Sequence, residues 1–163
     1  MRPNSFLSTL FSILIFSASP LSGQSMKNLS EINIRDPYIL TDRKSGNYYM
    51  YKSASVDRSG NRVGGVAVYK SKNLKEWEGP LQVFTVPQEN WITGAVWAPE
   101  VHAYNGKYYL FATLNSDIEW KKEQKGWPKY TFRGTQIFVS DDPEGPFLPF
   151  DHTPHTPMER MAL

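Results

Sequence analysis

Downstream of the N-terminal stretch, apolar positions come in short runs punctuated by single Gly, Pro, Asn and Asp residues, and none keeps a helical period. Asn47-Tyr48-Tyr49-Met50-Tyr51, Gly65-Val66-Ala67-Val68-Tyr69, Val101–Tyr104, Lys107–Ala112 and Thr135–Ser140 read as strands. Asn105-Gly106 joins two of them, and both residues tolerate positive φ, so a tight hairpin is expected there. In Tyr108–Thr113 apolar side chains occupy both faces: Tyr108, Leu110 and Ala112 on one, Tyr109 and Phe111 on the other. A strand covered on both sides belongs inside a layered structure. The chain therefore reads as all-β.

The strands recur in the same order. A first unit runs from Ile34-Arg35-Asp36-Pro37 through Tyr48-Tyr49 and Val66–Tyr69 to a turn over Ser71–Pro80. A second runs from Trp97-Ala98-Pro99-Glu100 through Tyr108-Tyr109 and Thr135–Ser140 to a turn over Asp141–Phe147. Matching landmarks are offset by 60 (Tyr48 to Tyr108), 69 (Ser71 to Ser140) and 66 (Gly79 to Gly145), the spread reflecting one longer loop in the second unit. A repeat of this length suits a four-stranded blade stacked between neighbours in a β-propeller.

Each unit opens on an acid beside a proline. Asp36 precedes Pro37 and is expected to be extended, because a residue before proline is pushed out of the helical region. Glu100 follows Pro99, whose missing N–H suits the first position of a strand. Two carboxylates at equivalent strand entrances, 64 positions apart, would converge on the central funnel of a propeller. Convergent carboxylates are the chemistry of glycoside cleavage. Alone, Asp36 reads as a turn residue and Glu100 as a solvated strand end; in register they read as a sugar site. Trp97 is a core residue or a sugar-stacking platform, Tyr38 a core residue, and His102 a strand histidine with its polar atoms satisfied. The loop from Asn115 to Arg133, with Trp120 and Trp127 among basic residues, reads as a solvated hairpin or as a cover over substrate.

Arg35-Asp36-Pro37, the Trp97-Ala98-Pro99-Glu100 motif some 60 residues later, and blade turns carrying Trp77 and Gly79-Pro80 together resemble glycoside hydrolase family 43. The resemblance spans residue 32 to the C-terminus. It implies a five-bladed propeller acting by inversion on arabinose- and xylose-containing plant polysaccharides, of which this chain holds about two blades and a stub. By that resemblance Asp36 is the general base that activates water. Glu100, where the family more often has Asp, falls at the carboxylate that raises the general acid's pKa and orients it, and Trp97 binds substrate. The family's general acid, a Glu on the third blade, has no match. Glu159, the one glutamate of the tail, lacks the surrounding strand. The sequence accordingly reads as an N-terminal fragment of a longer hydrolase, missing the C-terminal blades needed for closure and inactive alone.

Composition narrows the field further. With 18 Lys+Arg against 16 Asp+Glu and no basic cluster, nothing points to nucleic acid. Cysteine is absent, and His102, His152 and His155 lack metal-ligand spacing, so neither a metal nor another cofactor is expected. Arg2, the apolar stretch Phe6–Phe16 and the small residues Ser17–Gly23 read as a signal peptide over residues 1–23, leaving a mature domain over 24–163, secreted or periplasmic and free of the membrane. A membrane anchor is disfavoured by the shortness of that stretch. The competing functions are a non-catalytic carbohydrate-binding propeller and a propeller-type interaction scaffold.

Overall fold

The computed structural model describes residues 25–87, 95–115, 132–150 and 159–160. The expected signal peptide, the loop bearing Trp120 and Trp127, and the tail histidines His152 and His155 lie outside the described residues. Among the described residues, apart from a 3-10 turn at Leu29–Glu31, every regular element is a strand. Strands β1 (Met26–Asn28), β2 (Tyr38–Asp42), β3 (Asn47–Arg58), β4 (Asn61–Ser71) and β5 (Glu76–Thr85) form one antiparallel sheet in the order β1-β5-β4-β3-β2. Strands β6 (Val96–Tyr104), β7 (Lys107–Asn115) and β8 (Phe132–Ser140) form the second, with β9 (Leu148–Pro149) and β10 (Glu159–Arg160) both paired to β8. The sheets are two blades of a propeller, with β2 at one edge of the first and β6 at one edge of the second.

Part of the segment expected as a turn over Ser71–Pro80 is strand: the chain bends at 72–75 and then enters β5. Irregular register between β4 and β5, at Val66/Ala67 and Val68/Lys70, accommodates Gly79 and Pro80 inside the strand. Gly79 and its counterpart Gly145 both have positive φ, +135° and +75°. Backbone crowds both positions, since a Cβ on Gly145 would sit 2.8 Å from the Val83 carbonyl oxygen. That closeness lets Phe147 N–H donate to the same oxygen at 2.9 Å, tying the turn of the second blade to β5 of the first.

Period-two alternation decides which side of each sheet is buried. Along β7, Tyr108, Leu110, Ala112 and Leu114 turn inward, and Gln136 and Phe138 of β8 join them. Facing them from the first blade are Leu40, Tyr49, Tyr51, Val66, Val68, Val83 and Phe84. Phe84 and Phe138 meet at the centre with ring centroids 4.2 Å apart. The opposite side of β7, with Tyr109, Phe111 and Thr113, is half-buried among the described residues. The far side of the first blade has a smaller core of Met50, Tyr69 and Trp77, closed by Ile32 from the N-terminal segment.

Polar contacts also bridge the blades. The Tyr51 hydroxyl, buried in the interface, donates to the Pro143 carbonyl at 2.7 Å, and burial pushes its phenol far above the ordinary tyrosine range. Lys70 of β4 donates to both carboxylate oxygens of Glu144, at 2.9 and 3.0 Å. This hydrogen bond and the charge of Glu144 raise the Lys70 pKa against the opposing pull of burial. A raised lysine pKa means that folding favours the protonated form. The contribution is therefore complete below the ordinary lysine value of 10.5 and is lost as pH climbs through the raised folded-state value. For a half-exposed pair, Glu144→Gln is expected to cost about 0.5–1 kcal/mol at neutral pH. Denaturation midpoints of the two proteins should differ at neutral pH and converge as pH climbs past 10.5; a pH-independent difference would mean that charge is not its source.

Candidate active site

Strand pairing fixes how the two units correspond. Tyr38 of β2 lies opposite Tyr51, and Glu100 of β6 lies opposite Phe111, the residue that the Tyr-Tyr offset of 60 equates with Tyr51. Glu100 thus occupies the place of Tyr38, Pro99 that of Pro37, and Ala98 that of Asp36. Backbone angles agree, with φ of +47° at Asp36 and +43° at Ala98. The acids flank equivalent prolines and do not themselves correspond. The first hairpin turns through residues 43–46 and the second only through Asn105-Gly106, a difference of two residues that sequence spacing alone does not reveal.

Asp36 is not extended. Its left-handed backbone, unusual for a residue without glycine's freedom, costs of order 1–3 kcal/mol and is held only where the surroundings demand it. Such strain concentrates where a side chain must be aimed. The Asp36 carboxylate is exposed, with Oδ2 3.4 Å from Arg35 Nε. It opens onto a cleft of about 1110 Å³ between residues 33–36, the upper half of the β3–β4 hairpin and the start of β6. Trp97 lines the same cleft, half-buried, with the Arg133 guanidinium 4.8 Å from its ring centroid.

Glu100 lines a different cavity, a shallow groove of about 580 Å³ with His102, Tyr104, Tyr109 and Phe111. An extra residue in β6 between Trp97 and Glu100 restarts the alternation there, so Trp97, Glu100 and His102 fall on one side of the strand. In the tautomer protonated at Nε2, His102 donates to Glu100 Oε2 at 3.3 Å and accepts from the Tyr38 hydroxyl at Nδ1, 3.4 Å away. His102 is thus a strand histidine with a partner on each nitrogen. Tyr38 packs against the main core, and burial, with the Glu100 charge adding to it, raises its phenol above the ordinary value. The structure brings Asp36 and Trp97 together and sets Glu100 apart, joined to β2 through His102 and Tyr38.

Sequence reading missed the cations of the Asp36 cleft. Arg35, Lys52, Arg62 and Arg133 all line it, and Asp36 is the one carboxylate among the described residues doing so. Arg35 was in view beside Asp36, whereas the others arrive from β3, β4 and β8 only once the blades pack. No group of His, Asp and Glu among the described residues could hold a metal ion.

The model of glycosyl hydrolases family 43 matches residues 29–160, which takes in both blades and the cleft. The chain belongs to glycosyl hydrolases family 43. Among solved structures, an endo-arabinase from Bacteroides thetaiotaomicron VPI-5482 shares 36% identity over 80% of this chain and 39% of its own, with a TM-score of 0.61. A GH43_1 enzyme from Xanthomonas citri, solved with xylose, shares the fold at 22% identity and a TM-score of 0.54, over 81% of this chain and 36% of its own. The extracellular endo-alpha-(1->5)-L-arabinanase 1 of Bacillus subtilis (strain 168) is 27% identical over 109 residues, 63% of this chain and 32% of that protein. This family 43 chain therefore spans about a third to two fifths of the relatives it matches.

Proposed function

We propose that this chain supplies the base side of an inverting glycoside hydrolase acting on arabinose- or xylose-containing polysaccharides. Asp36 takes a proton from the attacking water, and Trp97 presents an aromatic surface to the sugar. The observation that carries the reading is the left-handed Asp36 carboxylate at the mouth of the cleft that Trp97 lines. Inversion requires a second carboxyl group, the general acid, about 6.5–9.5 Å away across the scissile bond. No second carboxylate lines this cleft among the described residues, and the part assigned to this chain is the base. Glu100 acts indirectly. Through His102 it holds the Tyr38 hydroxyl, two residues from Asp36, and so orients the start of β2 without entering the cleft.

Kinship with an extracellular arabinanase and the apolar N-terminal stretch support export, and no helix of the described residues is long and apolar enough to cross a membrane. Because 36% of residues are shared with the Bacteroides endo-arabinase, residues 29–150 can be grafted into that enzyme in place of its own two blades. Turnover of arabino-oligosaccharides by a folded chimaera would support the assignment. A folded chimaera that binds the sugar without cleaving it would favour the alternative, a non-catalytic carbohydrate-binding propeller, the main competitor while one carboxylate lines the cleft among the described residues.

A further inference from the structure

The charge around Asp36 is one-sided. Among the described residues four cationic side chains, Arg35, Lys52, Arg62 and Arg133, share the cleft with one carboxylate, although the chain as a whole has 18 Lys+Arg against 16 Asp+Glu. Basic charge is therefore concentrated at the site. A concave wall of one sign focuses the field and raises the local concentration of oppositely charged ligands. Arg35 is ion-paired with Asp36. Lys52 and Arg62 are held by neutral oxygens: Lys52 Nζ donates to the Asn33 carbonyl at 2.9 Å, and Arg62 to the Ser55 hydroxyl at 2.8 Å. Neither forms an ion pair among the described residues, although Asp57 is the cross-strand partner of Arg62, and both side chains are positioned by these neutral oxygens. Arg133 lies against Trp97, which puts a guanidinium next to the aromatic surface on which a sugar ring would rest.

Resting on the reading of this cleft as a glycan site, we propose that its ligand is acidic: a polysaccharide carrying uronic acid residues, whose carboxylates are met by Lys52 and Arg62 while a neutral sugar lies at Trp97 and Asp36. A neutral glycan gives these two cations nothing to bind. A uronate gives charge-assisted hydrogen bonds to an ammonium and to a planar guanidinium, the latter suited to a carboxylate in its fork geometry. Both cations lie on the hairpin β3–β4, and Lys52 is held to Asn33, three residues before Asp36, so an acidic sugar would sit beside the neutral one in the same cleft.

The test is titration of the 163-residue chain with trigalacturonic acid and with the same trisaccharide after its carboxyl groups are reduced to alcohols, following Trp fluorescence or heat. The acid should bind about tenfold more tightly at low ionic strength, and the preference should shrink as salt screens the cleft. Lys52→Ala/Arg62→Ala should bring the ratio of the two affinities close to one, and the milder Lys52→Gln should reduce it in part, with circular dichroism reporting that each variant is folded. Equal affinity for the two sugars in the wild type, or a ratio unchanged in folded variants, would overturn the proposal while leaving the glycan reading of the cleft standing. Binding of neither sugar would overturn both. A single-stranded oligonucleotide of matched charge binding as tightly as the acidic sugar would also overturn it, replacing a uronate site by a general polyanion surface.

Discussion

Asp36→Asn, introduced into the arabinase chimaera, is expected to lower turnover by about 10²–10⁴-fold, the range over which a positioned general base contributes. Substrate binding should stay within a few-fold, because the amide keeps the size and most of the hydrogen-bonding capacity of the carboxylate. The loss should fall on kcat more than on KM, as it does when an interaction made only in the transition state is removed. Stability gives an independent check. Asn tolerates the left-handed region about as well as Asp, so the backbone at φ +47° should be undisturbed and the denaturation midpoint unchanged. A variant that keeps full turnover would remove Asp36 from the chemistry. A variant that loses turnover and unfolds would leave the residue with a structural role only.

Phe138→Ala is expected to be the most damaging single change to the fold, at about 3–5 kcal/mol. Phe138 is fully buried between the blades and packs on Phe84 at 4.2 Å, so truncation empties the middle of the interface that holds the two sheets in register. Set against a total stability of about 5–15 kcal/mol for a typical domain, such a loss unfolds a marginal one. Leu148→Ala is the matching control: its side chain is 61% exposed, and the change should stay within about 0.5 kcal/mol. The pair should also couple. A cycle of Phe84→Ala, Phe138→Ala and the double variant should give about 0.5–1.5 kcal/mol of interaction for the aromatic contact. Additive losses would mean that the two rings stabilise their own sheets and not the contact between them.

Much of the architecture could be read before any coordinates. Asn105-Gly106 predicted the β6–β7 hairpin, and the two Tyr-Tyr pairs predicted equivalent strands β3 and β7, because these signals are local and their physics is that of turns and of period-two burial. Less legible was the portion of Ser71–Pro80 that pairs. Trp77, Gly79 and Pro80 look like turn residues, yet irregular β4–β5 register admits them into β5. Asp36 and Trp97 were named from their motifs and do line one cleft, whereas Glu100 was paired with Asp36 because both are acids next to a proline. Only cross-strand partners show that Tyr38 and Glu100 are the equivalent residues. The left-handed turn at Asp36 also escaped the general tendency of residues before proline, and Ala98 repeats it in the second blade. Lys52, Arg62 and Arg133 had no motif to announce them, since they meet at the cleft only through packing of distant strands.

The central claim is that sugar binds where Asp36 and Trp97 meet and not in the groove of Glu100. Nitrogen-15 resonance mapping of the 163-residue chain during titration with an arabino-oligosaccharide tests it most directly. The account predicts the largest shifts at the Asp36 amide, the Trp97 indole N–H and the amides of Ser53–Ser55, which line the same cleft. Shifts gathered instead at Glu100, His102, Tyr109 and Phe111, with the Trp97 indole unmoved, would contradict it.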